Sequence, residues 1–208
     1  GKLEEKVHFQ NLELLEEVLK EKRGVLMIGA HFGNWEPLCP ALTEKGFSTA
    51  MYVGAQTNPL TDLLQNQTRR QWKIETIGKG SDATMRIWDA LKQNRVVGML
   101  VDQDERKKGV FVDFFGQAAS SNTGAAAFHL MQQSPVLLFT CPYIRNRIEF
   151  RFERVDFQKT GDQEDDLKKL TQKMLAGLEK MIRRHPEQYF WMHKRWRTRP
   201  QDDSSSPY

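Results

Sequence analysis

Val25-Leu26-Met27-Ile28-Gly29-Ala30-His31-Phe32-Gly33-Asn34-Trp35-Glu36 is an apolar run that ends in a histidine, a glycine and an acid. A short continuous apolar run bounded by turn formers reads as a strand buried on both faces, as in a parallel sheet. The residues after it predict a turn and then a helix. Gly33 tolerates unusual backbone angles, Asn34 is a capping residue, and Pro37 suits a helix start.

The same strand-to-helix step recurs along the chain. Apolar strand segments at 25–29, 49–53, 74–77, 96–101 and 136–141 alternate with helical segments at 35–45, 59–72, 82–93 and 122–132, with Ser81 and Asn122 as candidate caps. This rhythm predicts an α/β fold: a single open, mostly parallel sheet flanked by helices, with the site at the carboxyl ends of the strands, where His31 falls. Residues 147–155 alternate Ile148, Phe150 and Phe152 with charges, the period of a strand with one wet face near a sheet edge. Residues 11–22 form an amphipathic helix that either packs on the domain or lies at a membrane surface. Leu167, Leu170, Met174, Leu178 and Met181 mark a long helix, interrupted by Pro186 before a second, aromatic-rich helix at 187–196.

At 208 residues the chain has the length of one domain able to bury a core without metal or disulfides. We expect that domain to span 1–200, with 201–208 as a flexible tail of disorder-like composition. Cys39 and Cys141 are far apart and form no metal-binding pattern, so both read as small buried apolar residues. No apolar run approaches the ~20 residues needed to cross a bilayer. The first residue is Gly, so a targeting or anchoring segment upstream of the covered residues is compatible with the sequence. The net charge of +4 is modest, but cations cluster at Arg69-Arg70, Arg106-Lys107-Lys108, Arg183-Arg184 and His193-Lys194-Arg195-Trp196-Arg197-Thr198-Arg199. Phosphate groups, an anionic membrane, an acidic carrier protein or nucleic acid would each complement them.

The chemistry starts from His31 and Glu36. A neutral imidazole takes a proton near physiological pH, and a carboxylate beside it orients the ring. Five positions on one helix would separate the two side chains by about 140°, so they converge only if His31 stands in the turn and Glu36 in the first helical turn. The spacing alone is weak: with 5 His and 27 acids in the chain, chance supplies roughly 0.65 such pairs. A turn histidine bonded to a capping carboxylate is the plain structural alternative. Signatures of serine hydrolases, P-loop NTPases, dinucleotide-binding folds and zincins are absent from the sequence. A histidine–acid pair without a protein nucleophile suits direct activation of a hydroxyl or water.

Further segments stand in a characteristic order: Asn58-Pro59-Leu60-Thr61-Asp62 with Arg69; Asp102-Gln103-Asp104 before Gly109-Val110-Phe111-Val112; Phe114-Phe115-Gly116; Thr123-Gly124; and Pro186-Glu187-Gln188-Tyr189-Phe190-Trp191-Met192-His193-Lys194-Arg195-Trp196-Arg197-Thr198-Arg199-Pro200. Together with 31–36 they resemble the bacterial lipid A biosynthesis acyltransferases, the late lauroyl/myristoyl group of lysophospholipid-acyltransferase-like enzymes, almost end to end. The resemblance implies transfer of a fatty acyl chain from an acyl carrier protein thioester to a hydroxyl of a lipid A precursor, at the cytoplasmic face of the inner membrane. On it, His31 is the general base and Glu36 its partner. Arg69, Asp102 and Asp104 fall at further positions that bind substrate or hold the oxyanion. Asp102 has the alternative of capping a turn or pairing with Arg69.

The implied partners are an acyl carrier protein, an anionic glycolipid acceptor and a membrane surface, with no nucleic acid, metal or cofactor beyond the carrier thioester. A metal-dependent alternative would need His129, His185 or His193 near His31. Residues 109–116 read either as core or as the lining of an acyl channel. The chain departs from the family where Tyr52-Val53-Gly54 replaces the usual Tyr-Arg-Pro, and it lacks the usual N-terminal membrane helix among its residues. Two other readings stand beside this one: a relative acting on another glycolipid or an amino-lipid, and a non-catalytic basic module that binds membranes or nucleic acid.

Overall fold

A computed structural model describes residues 3–54 and 58–201. The expectation for the tail concerns residues that lie, apart from Gln201, outside the described ones. In chain order the elements are α1 (Leu3–Lys6), β1 (Val7–Gln10), α2 (Leu12–Leu19), β2 (Val25–Gly29), α3 (Leu38–Glu44), β3 (Thr49–Val53), α4 (Pro59–Gln71), β4 (Glu75–Gly78), α5 (Ala83–Lys92) and β5 (Val96–Leu100). They continue with β6 (Val110–Phe114), β7 (Gln117–Ser121), α6 (Gly124–Gln132), β8 (Val136–Thr140), β9 (Tyr143–Ile144), β10 (Arg147–Val155) and α7 (Gln163–Ile182).

The main sheet runs β1-β10-β8-β2-β5-β3-β4, with β9 paired to β10. From β8 to β4 all pairings are parallel, whereas β10 is antiparallel to β8. The α/β, mostly parallel expectation therefore holds. Strands β2 and β8 are buried along their whole length, which explains their unbroken apolar sequences. One face of the sheet is covered by α2 and α3 through Leu15, Val18, Leu38 and Leu42. The other is covered by α5, α6 and α7 through Ile87, Leu91, Phe128, Leu170, Met174 and Leu178. The N-terminal amphipathic helix thus packs on the domain. β10 is one strand in from the edge, because β1 pairs with it in parallel.

Three sequence expectations need correction. Helix α3 begins at Leu38, so Glu36 sits in the turn before it. Residues 110–121 form a separate β6–β7 hairpin turned at Phe115 and Gly116, both with positive φ. Residues 187–196 are not a helix: after a short 3₁₀ turn at Pro186–Gln188 the chain is irregular. Its backbone bonds outward instead. Gly33 N–H donates to Gln188 O at 2.9 Å, Phe190 N–H donates to His31 O at 2.9 Å, and Phe32 bridges Tyr189.

Candidate active site

Strands β2 and β5 are parallel neighbours with Gly29 opposite Leu100. Val101 N–H donates to Gly29 O at 3.1 Å, so the ladder continues beyond the strands. His31 lies two residues past Gly29 and Asp102 two residues past Leu100, and this equal offset brings them side by side. Asp102 Oδ2 accepts the His31 backbone N–H at 2.9 Å, and its Oδ1 accepts the ring Nδ1–H at 2.8 Å. Asp102 is 3% exposed and the His31 side chain 22%. A carboxylate on Nδ1 fixes that nitrogen as the protonated one and leaves the Nε2 lone pair as the basic site.

Gly33 makes the turn possible. Its φ is +61°, and a Cβ there would lie 2.1 Å from Cys141 O. Only glycine accepts both conditions. The turn carries Trp35 back so that its ring meets the His31 imidazole edge-on, with centroids 5.0 Å apart, and the tilted Phe190 ring has its centroid 6.5 Å from that of the imidazole.

Glu36 has a different partner from the one its spacing predicts. Its carboxylate accepts Arg69 Nη2 at 3.0 and 3.3 Å. The pairing of His31 with Glu36 is therefore corrected to two pairs, His31–Asp102 and Arg69–Glu36. The reason is local: with α3 starting late, Glu36 is carried toward the end of α4, while the strand register delivers Asp102 to the ring. Arg69 is 9% exposed against 45% for Glu36, and its Nε has no hydrogen-bond partner among the described residues. Asp104 points elsewhere: its Oδ2 accepts Thr198 Oγ1 at 2.8 Å, and its N–H donates to His193 Nε2 at 2.9 Å.

His31, Glu36 and Arg69 line a cavity of about 600 Å³. Its walls come from α3 (Leu38, Cys39), β3 (Met51 to Val53) and β5 (Gly98 to Leu100), with Phe139 and Phe190; Gln65, Lys79, Gln103 and Glu105 add polar groups. The volume is that of a small-ligand site. Two glycines share this face of neighbouring strands and differ in what covers them. The ring of Phe139 lies over Gly29, whereas over Gly98 a Cβ would meet only Cys39 Sγ at 3.5 Å and Ala50 O at 3.8 Å. Gly98 therefore leaves space that the cavity occupies. Residues 109–116 take no part in the lining of this cavity; Val112 and Phe114 are core. Cys39 faces the cavity, but burial and the Glu36 carboxylate push its thiol up to about 12, so it stays protonated and poorly nucleophilic at neutral pH.

The terminal basic cluster also divides. Arg195 is 1% exposed and donates to Ser120 O at 2.6 Å, with its guanidinium 5.5 Å from the Phe114 ring centre. It braces the β6–β7 hairpin. No set of three or more His, Cys, Asp or Glu among the described residues is grouped to hold a metal ion.

Fold and geometry together define an α/β protein with a histidine–aspartate centre at adjacent strand ends beside a cavity of mixed polar and apolar lining. Residues 1–198 match the model of the bacterial lipid A biosynthesis acyltransferase family, and the chain belongs to that family. It is 27% identical over 199 residues to a lipid A biosynthesis palmitoleoyltransferase of Escherichia coli K12, covering 94% of this chain and 63% of that protein. It is 28% identical over 198 residues to the lauroyltransferase of the same organism, covering 91% and 61%. A lipid A biosynthesis acyltransferase 2 of Shigella flexneri is 24% identical over 213 residues, covering 100% and 66%. The chain thus spans less than two thirds of the length of these relatives.

Proposed function

We propose that this protein transfers a fatty acyl chain from an acyl carrier protein thioester to a hydroxyl of a lipid A precursor. The observation that carries the reading is the His31–Asp102 pair: Nδ1 is held by a buried carboxylate, and the ring lines the cavity. His31 Nε2 takes the proton of the acceptor hydroxyl as its oxygen attacks the thioester carbonyl. Asp102 stabilises the resulting imidazolium. Arg69, positioned by Glu36 and with Nε unpartnered, donates to the oxyanion. Collapse of the tetrahedral intermediate expels the carrier thiolate, which receives the proton from His31. A thiolate leaves readily, its conjugate thiol having a pKa of about 8.5, so one base serves both steps. No acyl-enzyme is needed.

The cavity beside His31 is the natural place for the acyl chain. A membrane surface as partner is supported by apolar side chains left in solvent next to it: Leu60, Leu63 and Leu64 on α4, which also supplies Gln65 and Arg69 to the lining, and Trp191 and Met192 beside Phe190. No described helix is long and apolar enough to cross a membrane. Val53 and Gly54 line the cavity where many relatives carry a basic residue, which favours, as a second reading, a different glycolipid or an amino-lipid acceptor. A panel of acceptor lipids incubated with acyl carrier protein thioesters tests both. Product from a lipid A precursor supports the first reading, product only from another lipid supports the second, and no product from any acceptor refutes both.

A further inference from the structure

The stretch 188–199 contributes Phe190 to the cavity and also bonds to both loops that carry the candidate centre. On one side it holds the His31 turn through Gly33 N–H to Gln188 O and Phe190 N–H to His31 O. On the other it holds the loop after β5. Asp104 N–H donates to His193 Nε2 at 2.9 Å, and Thr198 Oγ1 donates to Asp104 Oδ2 at 2.8 Å. The stretch is itself anchored on the β6–β7 hairpin by Arg195 on Ser120 O and by Trp196 Nε1 on Phe114 O at 3.2 Å. It works as a clamp across His31 and Asp102.

One jaw of this clamp depends on a titratable acceptor. Neutral His193 accepts at Nε2, whereas an imidazolium carries a proton on each nitrogen and would set N–H against the Asp104 N–H. We infer that His193 is a positioning residue that, only while unprotonated, fixes the loop bearing Asp102 and so keeps Asp102 on His31 Nδ1.

The charged groups facing His193 come from three places. Arg195 lies on its own stretch, Asp102 and Asp104 on the loop after β5, and His31 on the turn after β2. Burial is the largest influence and lowers the His193 pKa; Arg195 and His31 act in the same direction, and the two aspartates oppose them. His193 is therefore an acceptor at neutral pH and loses the bond on acidification. Acidification then costs the wild type activity through a proton taken up by His193, beyond any taken up by the base itself.

The inference rests on the proposed acyl transfer for its kinetic readout and has a second readout that does not. In the full chain, His193→Gln supplies Oε1 as an acceptor that does not titrate, and His193→Phe keeps a ring without an acceptor. With acyl carrier thioester and the accepted lipid, the Gln variant is expected to keep kcat at neutral pH within about threefold. Its acid limb should be shallower by one proton than that of the wild type. The Phe variant is expected to lose on the order of tenfold or more in kcat with little change in KM. By NMR, slow exchange of the Asp104 amide and the His31 Nδ1 proton resonance should persist in the wild type and the Gln variant and be lost in the Phe variant. A Phe variant with wild-type kcat and an unchanged Asp104 amide would overturn the inference, as would an acid limb in the Gln variant as steep as that of the wild type. If the wild type transfers no acyl chain to any lipid, the proposed function falls, and the NMR comparison still decides whether His193 holds the loop and the pair.

Discussion

Replacing Asp102 with Asn separates the His31–Asp102 arrangement from the His31–Glu36 one. The carboxylate accepts twice, from the His31 backbone N–H at 2.9 Å and from Nδ1–H at 2.8 Å. An amide can accept only on one side. If its oxygen takes the backbone N–H, its NH₂ faces Nδ1, drives the proton to Nε2 and removes the base. If its oxygen takes Nδ1–H, its NH₂ opposes a backbone donor. Either way one bond to a charged group is lost, worth about 1.5–3 kcal/mol. That corresponds to a fall of roughly 10- to 150-fold in kcat, and more where the wrong tautomer dominates. The assay is initial-rate acyl transfer at saturating donor, followed by product lipid and by released carrier thiol, with circular dichroism to confirm the fold. Glu36→Gln should behave differently: it weakens the hold on Arg69 while leaving the Asp102 carboxylate, and with it the imidazole tautomer, intact. A folded Asp102→Asn protein with kcat within twofold of wild type would refute the reasoning.

Three further outcomes follow from the geometry. Gly98→Leu fills the open part of the cavity floor beside Cys39, so the preferred donor should shift to shorter acyl chains. Each methylene left unburied costs roughly 0.8 kcal/mol, about fourfold in selectivity, and competition between donors of different length measures it. Gly33→Ala should lower the melting temperature and the activity together, because the left-handed backbone costs about 1–2 kcal/mol before the clash with Cys141 O is counted; thermal denaturation reads it. Burial lowers the pKa of His129, whose Nδ1 lies 2.9 Å from Ser134 O, so the unfolded chain binds this proton first on acidification. Stability from this group is present above the ordinary imidazole value of about 6.5 and is lost as pH falls from there toward the lowered value. Urea titrations should show a shallower pH dependence for His129→Asn, whose side-chain N–H can still donate to Ser134 O.

Much of this was legible in the residues. The apolar runs at β2, β5 and β8 define a parallel core because buried strands need no polar alternation, and they place His31 at a strand end. The partner of His31 was legible too, though in a different signal from local spacing: residues 25–30 and 96–101 are apolar runs of equal length that end in His31 and Asp102. Two such runs paired in register deliver their next residues to the same edge. Spacing within one segment pointed instead to Glu36, whose position depends on where α3 starts, and helix starts are poorly fixed by short sequences. The stretch at 187–196 misled for a tertiary reason: it is rich in aromatics that suit a packed helix, but its backbone groups bond to the His31 turn and its Arg195 is buried against the β6–β7 hairpin. That packing depends on contacts with residues more than 70 positions away in sequence, which no local pattern encodes.

The central claim, that His31 is the base of an acyl transfer, is tested most directly by comparing wild-type and His31→Ala proteins with acyl carrier protein thioester and a lipid A precursor. The account expects acylated lipid from the wild type and none above background from a variant with an unchanged fold. Near-wild-type turnover by folded His31→Ala would contradict it.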